Sequence, residues 1–123
     1  MVFCNRAVSA QFPRSTTAFH GTSVFNMLSI YTNNTVWAAP HAFVTPNPLY
    51  ALHPAFAIPY HIDANHAVQA LVEVHTGTHT FEKQQATVEC PLPDSDTIEW
   101  KTDTSLSVAA LYLFVYVRHV RHT

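Results

Sequence analysis

Apolar and polar residues alternate along much of this chain, and long apolar stripes with the period of an α-helix are absent. The clearest alternation is AVQALVEVH, residues 67–75, which predicts a half-buried strand. The other long pattern, Leu106–Val117, is apolar on both faces and rich in β-branched and aromatic residues, so it predicts a central strand covered on both sides. The pattern as a whole predicts an all-β fold, specifically an antiparallel β-sandwich.

Residues 1–21 contain isolated apolar residues, and we expect them to form an extended arm before ordered sheet begins near Thr22. The runs TSVFNMLSIY, residues 22–31, and TVWAA, residues 35–39, are separated by the turn-type sequence Thr-Asn-Asn. This arrangement predicts a β-hairpin.

Five prolines punctuate the segment from Pro40 to Pro59. Because proline cannot donate a hydrogen bond to a sheet ladder, we expect loop and short edge strand there. The segment carries large apolar residues and no Asp, Glu, Lys or Arg, so it should lie across the domain or against a neighbouring molecule. The candidate interface residues, in this segment and directly after it, are Phe43, Leu49, Tyr50, Phe56 and Tyr60.

The region between the two long strand patterns is more polar. THTFEKQQATVEC, residues 78–90, predicts a pair of strands with a polar centre, PLPDSD a surface loop, and TIEWK a short strand. The acidic residues of DSDTIEWKTD, residues 94–103, lack the glycine and the terminal glutamate of a calcium-binding loop, so we expect them to be solvated.

At 123 residues the chain predicts one domain, residues 1–123, large enough to bury a core. It is 48% hydrophobic and 11% charged, whereas an ordinary soluble domain is roughly 25% charged. Residues 1–62 contain Arg6 and Arg14 as their only charged side chains, and all eight acids lie between Asp63 and Asp103. A surface so poor in charge is expected where subunits pack together, although a chain under little selection would share this composition.

Cys4 and Cys90 lie far apart among small or apolar neighbours, which favours free thiols in a reducing compartment. The N-terminal residues lack the apolar core of a secretory signal, and the run from Val108 to Val117 is too short to span a bilayer. We therefore expect no membrane span.

Nine histidines raise the question of a metal site. On a straight strand His75 and His79 would lie roughly 13 Å apart, and no zinc-type spacing supplies further ligands. Nucleophile motifs and phosphate-binding loops are absent, and the chain has two glycines in total. The sequence therefore predicts no enzyme, no cofactor and no metal, and a metal enzyme built on His61, His66, His75 and His79 is the weakest alternative.

The stretch TPNPLYALHPAFAIPYHIDANHAVQALVEVHTG, residues 45–77, resembles a region of picornavirus capsid proteins. There an Asn-Pro dipeptide, a loop, an aliphatic-Pro-Tyr motif and a Val-rich strand occur in this order. The ending LYLFVYVRHVRH, within residues 106–122, is similar to the last strand of those proteins and its basic tail. The resemblance implies a jelly-roll subunit that assembles around RNA, located in the virion and the host cytoplasm. It also implies assembly or RNA contacts through Arg118, His119, Arg121 and His122.

We therefore expect a structural, self-assembling protein, a viral capsid-type subunit whose partners are further subunits and RNA. The main alternative is a small β-sandwich binding or host-interaction module that exposes Pro40–Tyr60 as an apolar patch. Such a module would remain monomeric or dimeric in solution.

Overall fold

The computed structural model describes residues 17–117 of the chain, and within this range eight strands and two helices follow one another. The strands are β1 (Thr17–Thr22), β2 (Thr35–Val36), β3 (Ala42–Val44), β4 (Tyr60–His61), β5 (His66–His75), β6 (Glu82–Gln84), β7 (Glu99–Thr102) and β8 (Leu106–Val117). The helices are α1 (Val24–Asn33) and α2 (Pro48–Ala51).

The strands form two antiparallel sheets, so the prediction of a mainly antiparallel β fold is confirmed. The larger sheet has the order β1-β5-β8-β2, with β4 also paired to β5, and the smaller has the order β3-β7-β6. Phe19 of β1 and Thr45 exchange two backbone hydrogen bonds, with N–O distances of 2.7 and 2.9 Å. This bridge joins the edge of β1 to the chain that leaves β3, so the two sheets are linked at this point.

The two long strand predictions differ in outcome. Leu106–Val117 is β8, with the predicted bounds, and it pairs with β5 over most of its length. The strand predicted at 67–75 is β5, but the half-buried description is wrong because both of its faces are covered. Gln69 explains part of this coverage, since its side-chain amide donates hydrogen bonds of 2.8 Å to the carbonyl groups of Leu52 and Ala57. The chain after α2 therefore lies over the face that was expected to meet solvent.

The hairpin predicted over residues 22–39 is wrong, because most of its first strand is the helix α1. Ser23 caps this helix, and its hydroxyl accepts a hydrogen bond of 3.1 Å from the backbone N–H of Asn26. Asn34 ends the helix in the left-handed conformation, with φ 54°. Met27 and Ile30, three positions apart, provide its buried side. These caps and the buried pair outweigh the strand preference of the β-branched and aromatic residues in the same run.

Other segments also differ in detail from the predictions. The predicted arm ends in β1, so the sheet includes residues from Thr17 onward. The proline-rich segment contains the short strand β3, as expected, and also the short helix α2, which begins with Pro48 after the capping side chain of Asn47. In the region predicted as a strand pair, residues 78–90, only β6 is strand.

One hydrophobic cluster lies between the larger sheet, α1 and the start of the smaller sheet. It includes Val72 and Val74 of β5, Leu106 and Val108 of β8, and Ile30 of α1. Complete burial of a side chain of this size contributes about 1.5–3 kcal/mol. This cluster fixes β5 and β8 in the centre of the larger sheet, whereas the last residues of β8 lie outside the core.

Candidate functional site: a free strand edge and an aromatic cavity

The coverage of β8 decreases along the strand. β5 pairs with one edge of β8 as far as Val117, but β2 pairs with the opposite edge only at Leu106 and Ser107. The N–H of Val108 still donates to the carbonyl of Asn34, at 3.2 Å. Further along, no described strand lies beside this outer edge. We call the outer backbone edge of residues 113–117 the β8 edge.

The side chains of β8 become exposed toward the end of the strand, well beyond its last pair with β2 at Leu106 and Ser107. Leu113 is partly buried against the core, whereas Val115, Tyr116 and Val117 are 38%, 37% and 58% exposed. A strand with this composition is expected in a covered position. The exposed C-terminal end of β8 is therefore unusual for a strand of this composition.

Further apolar side chains adjoin this end of the larger sheet. Val68 of β5 lies in register between Tyr60 of β4 and Val115 of β8, so these three side chains share one face. The ring of Phe25 on α1 meets Tyr60 edge to face, with a centroid distance of 5.2 Å. Phe25 and Tyr60 are themselves 65% and 46% exposed. An exposed apolar surface thus extends from α1 across β4 toward β8.

A second feature is a cavity of about 340 Å³ beside α2, which is within the range of small-molecule sites. Its walls come from β1, α2, β3, β7 and the loop after α2. They include Phe19, Gly21, Phe43, Tyr50, Phe56 and Glu99. The helix approaches β1 closely at Gly21, where an added Cβ would collide with the carbonyl oxygen of Ala51. The absence of a side chain at this position therefore lets α2 form one wall of the cavity.

Glu99 is buried in the wall of this cavity, with 6% exposure, although it was predicted to be solvated. Its Oε2 accepts hydrogen bonds of 2.8 Å from the hydroxyl of Tyr50 and of 2.8 Å from the hydroxyl of Thr87. Its Oε1 accepts one of 2.9 Å from the side-chain amide of Gln84. The prediction is wrong because β7 directs Glu99 toward these donors rather than toward water. All three donors are neutral.

The hydroxyl of Tyr50 also accepts a hydrogen bond of 3.1 Å from the backbone N–H of Thr87. Burial raises the pKa of Tyr50, and the hydrogen bond to Glu99 raises it further. The hydroxyl therefore stays protonated and donates to the carboxylate at neutral pH.

His20 also lines the cavity, where it connects β1 to β3. Its Nδ1 lies 2.8 Å from the carbonyl oxygen of Phe43 and donates to it. Burial lowers the pKa of His20, and this hydrogen bond offsets part of the effect. The imidazole is therefore held neutral in a structural role.

The five predicted interface residues are not one patch. Phe43, Tyr50 and Phe56 line the cavity, and Leu49 lies beside them on α2 with 67% exposure. Tyr50 is 4% exposed, because its ring packs against Phe56 at a centroid distance of 5.2 Å. Tyr60 belongs instead to the apolar surface near the β8 edge. The predicted contact residues Arg118, His119, Arg121 and His122 lie outside the described residues.

The four histidines considered as metal ligands lie on different elements: His61 is in β4, His66 and His75 are in β5, and His79 is in the loop that follows. His66 begins β5 and His75 ends it, which separates them by roughly 30 Å. His66 instead meets Asp63, with Nδ1 2.8 Å from Oδ1. Within residues 17–117, no group of three His, Cys, Asp or Glu side chains has a geometry that could hold a metal ion.

Two functional candidates were missed by the sequence analysis. The cavity depends on Glu99 and Gly21. The sequence around Glu99 does not distinguish it from an exposed acidic residue, and the sequence around Gly21 does not distinguish it from an ordinary glycine in a strand. The open outer edge of β8 was missed for a different reason, since its residues predict a covered strand. Within residues 17–117, it is the short length of β2 that leaves this edge of β8 without a strand partner.

No protein-family model matches the chain, and no curated protein sequence matches it. The resemblance to picornavirus capsid proteins over residues 45–77 and 106–122 therefore stays a prediction. In the described part of the chain, neither helix has the length and apolar character needed to cross a membrane.

Proposed function

We propose that this protein is a non-catalytic structural protein that self-associates, and that the β8 edge is its contact with a second copy. The observation that carries this proposal is the lack of a strand partner beside residues 113–117 in the described range. A long apolar edge presents unpaired backbone donors and acceptors that readily pair with another strand. Strand addition would continue the larger sheet across the contact.

Charge favours a second copy as the occupant of this edge. Residues 106–117 contain no Asp, Glu, Lys or Arg, and neither do residues 17–62, which include α1 and β4. A charged partner strand would lose water at this surface without gaining an opposite charge, which is costly. Antiparallel pairing of two β8 edges about a two-fold axis instead places the same apolar side chains on both sides of the contact.

The mass of the protein in solution, measured by light scattering over a range of concentrations, tests this proposal. We expect a mass above the 13.8 kDa of one chain that rises with concentration. The variants Val115→Lys and Val117→Lys place charges at the β8 edge and should lower the mass to that of one chain, since charged residues on an edge oppose pairing. Both positions are exposed, so these variants should keep the fold.

Leu49→Lys is the matched control, because Leu49 is also apolar and exposed but lies on α2. It should leave the mass of the wild-type assembly unchanged. If Leu49→Lys dissociates the assembly and Val117→Lys does not, the contact lies at α2 and the role of the β8 edge is refuted. A wild-type mass of one chain at every concentration refutes self-association and favours the binding module.

In its more specific form, the proposal is a capsid-type subunit with a jelly-roll β-sandwich. The antiparallel architecture with two sheets supports this form, as does the resemblance of residues 45–77 and 106–122 to picornavirus capsid proteins. In such a subunit Arg118, His119, Arg121 and His122 would follow β8 to a neighbouring subunit or to RNA. The virion and the host cytoplasm would be its locations.

RNA binding tests the capsid-type form separately from self-association. Arg118→Ala combined with Arg121→Ala should weaken RNA binding and reduce its dependence on salt concentration, because fewer phosphate charges are neutralised. Circular dichroism should show an unchanged fold in the double variant. Equal RNA affinity of the double variant and the wild type would refute this form and leave self-association through the β8 edge untouched.

A further inference from the structure

The carboxylate of Glu99 has no cationic partner in the described part of the chain. The ion pairs there join His66 to Asp63 and Lys101 to Glu82. The hydrogen-bond donors of Glu99 are two hydroxyl groups and one amide. Glu99 is therefore a buried acidic group stabilised by neutral donors alone.

Burying a carboxylate is costly unless hydrogen bonds and opposite charge compensate for the lost water. An ionised carboxylate offers about four acceptor positions, and three are used here, two on Oε2 and one on Oε1. One position on Oε1 therefore remains for a further donor. Because Glu99 lines the cavity, a molecule inside the cavity can supply that donor.

The other walls of the cavity are suited to the same kind of molecule. Phe19, Phe43, Tyr50 and Phe56 contribute four aromatic rings to the lining. The face of an aromatic ring attracts a cation, and its apolar surface binds hydrocarbon groups. Aromatic rings around a single carboxylate favour a ligand that is both cationic and apolar over a neutral or anionic one.

We propose that this cavity binds a small organic ammonium ion, such as an arylalkylamine in its protonated form. The ammonium group donates a hydrogen bond to Oε1 of Glu99, and the hydrocarbon part lies against Phe19, Phe43 and Phe56. The volume of about 340 Å³ fits a molecule of this size. This site does not depend on the β8 edge, which lies at another part of the larger sheet.

Binding of three probes of similar shape to the full chain tests this proposal, measured by isothermal titration or by chemical shifts at about pH 7.5. The probes are phenethylamine, 2-phenylethanol and 3-phenylpropionate, which are cationic, neutral and anionic at this pH. We expect the amine to bind about 10-fold or more tightly than the alcohol, as for a charge-assisted hydrogen bond. The anion should bind most weakly.

Glu99→Gln removes the charge at nearly constant size, and it should abolish the preference for the amine over the alcohol. Glu82→Gln is the control, because the side chain of Glu82 is 70% exposed on the neighbouring strand β6 and should not affect the preference. If Glu99→Gln does not fold, Phe43→Leu provides a second test. The side chain of Phe43 is partly exposed, so this variant should fold. It should weaken amine binding about 2- to 10-fold, because the hydrocarbon part of the amine loses its contact with an aromatic ring.

Several outcomes would overturn the proposal. Equal binding of amine and alcohol to the wild type would show that Glu99 gives no electrostatic preference. Failure of all three probes to bind at millimolar concentration, or an amine preference that persists in Glu99→Gln, would also refute it. Amine binding that Phe43→Leu leaves unchanged would place the amine outside this cavity.

Discussion

Tyr50 donates a hydrogen bond of 2.8 Å from its hydroxyl to Oε2 of Glu99, and this bond joins α2 to β7. Both side chains are buried, and the same hydroxyl accepts from the backbone N–H of Thr87. α2 thus contacts the smaller sheet through the hydroxyl of Tyr50, whose ring forms part of the aromatic wall of the cavity. The cavity depends on this arrangement.

Tyr50→Phe should destabilise the fold, because it removes a donor from a buried carboxylate and an acceptor from Thr87. We expect a loss of about 1–3 kcal/mol in the free energy of unfolding, measured by urea denaturation. Tyr31→Phe is the control, since Tyr31 is 64% exposed on α1. Equal stabilities of the two variants would contradict the role given to the Tyr50 hydroxyl.

Gly21→Ala should disturb the contact between β1 and α2. The added Cβ would collide with the carbonyl oxygen of Ala51 and lie 3.0 Å from the Cβ of Phe56. Overpacking of this kind costs about 1–3 kcal/mol, which a shift of the thermal midpoint would report. Gly77→Asn should have little effect, because an added Cβ would make an ordinary contact of 3.9 Å with Nδ1 of His79 and Asn tolerates the positive φ of 51°. A Gly21→Ala variant as stable as Gly77→Asn would show that α2 can move away freely.

The stability of the fold should decrease in mild acid. Burial lowers the pKa of both His20 and His75, and the charge of Glu73 opposes this effect at His75. The unfolded chain, with histidine pKa values of about 6.5, then binds protons that the folded chain does not. Stability should therefore be constant above about pH 7.5 and fall as the pH drops through about 6.5 toward the lower folded-state values.

Urea denaturation from about pH 8 to about pH 5.5 measures this dependence. His20→Gln should reduce the slope, since glutamine can still donate to the carbonyl of Phe43 but does not titrate. His41→Gln, at an exposed position, should leave it unchanged. If the stability is constant across this range, the fold does not require His20 and His75 to be neutral.

Ser23→Ala should weaken α1 by removing the side chain that accepts from the N–H of Asn26. The expected loss is about 1 kcal/mol in the free energy of unfolding. Ser29→Ala lies at an exposed position inside the same helix and should be neutral or slightly stabilising, because alanine favours helix. If Ser23→Ala has no larger effect than Ser29→Ala, the cap does not define the start of α1.

The two long strands could be predicted from the sequence because their patterns persist over about ten residues. The location of α1 could not be predicted in this way, since Val24, Phe25 and Ile30 favour strand and the capping roles of Ser23 and Asn34 depend on the backbone around them. The burial of Glu99 was equally hidden, because its donors lie up to 49 positions away in Tyr50, Thr87 and Gln84. Interactions at this separation leave no local pattern.

Hydrogen exchange of the backbone amides of residues 113–117 tests the proposed contact most directly. Amides of this segment that do not bond to β5 face the β8 edge, so no strand within residues 17–117 protects them from exchange in a single chain. We predict that their exchange slows as protein concentration rises and that Val117→Lys removes this protection. Fast exchange at concentrations where light scattering finds an assembly would contradict pairing at the β8 edge.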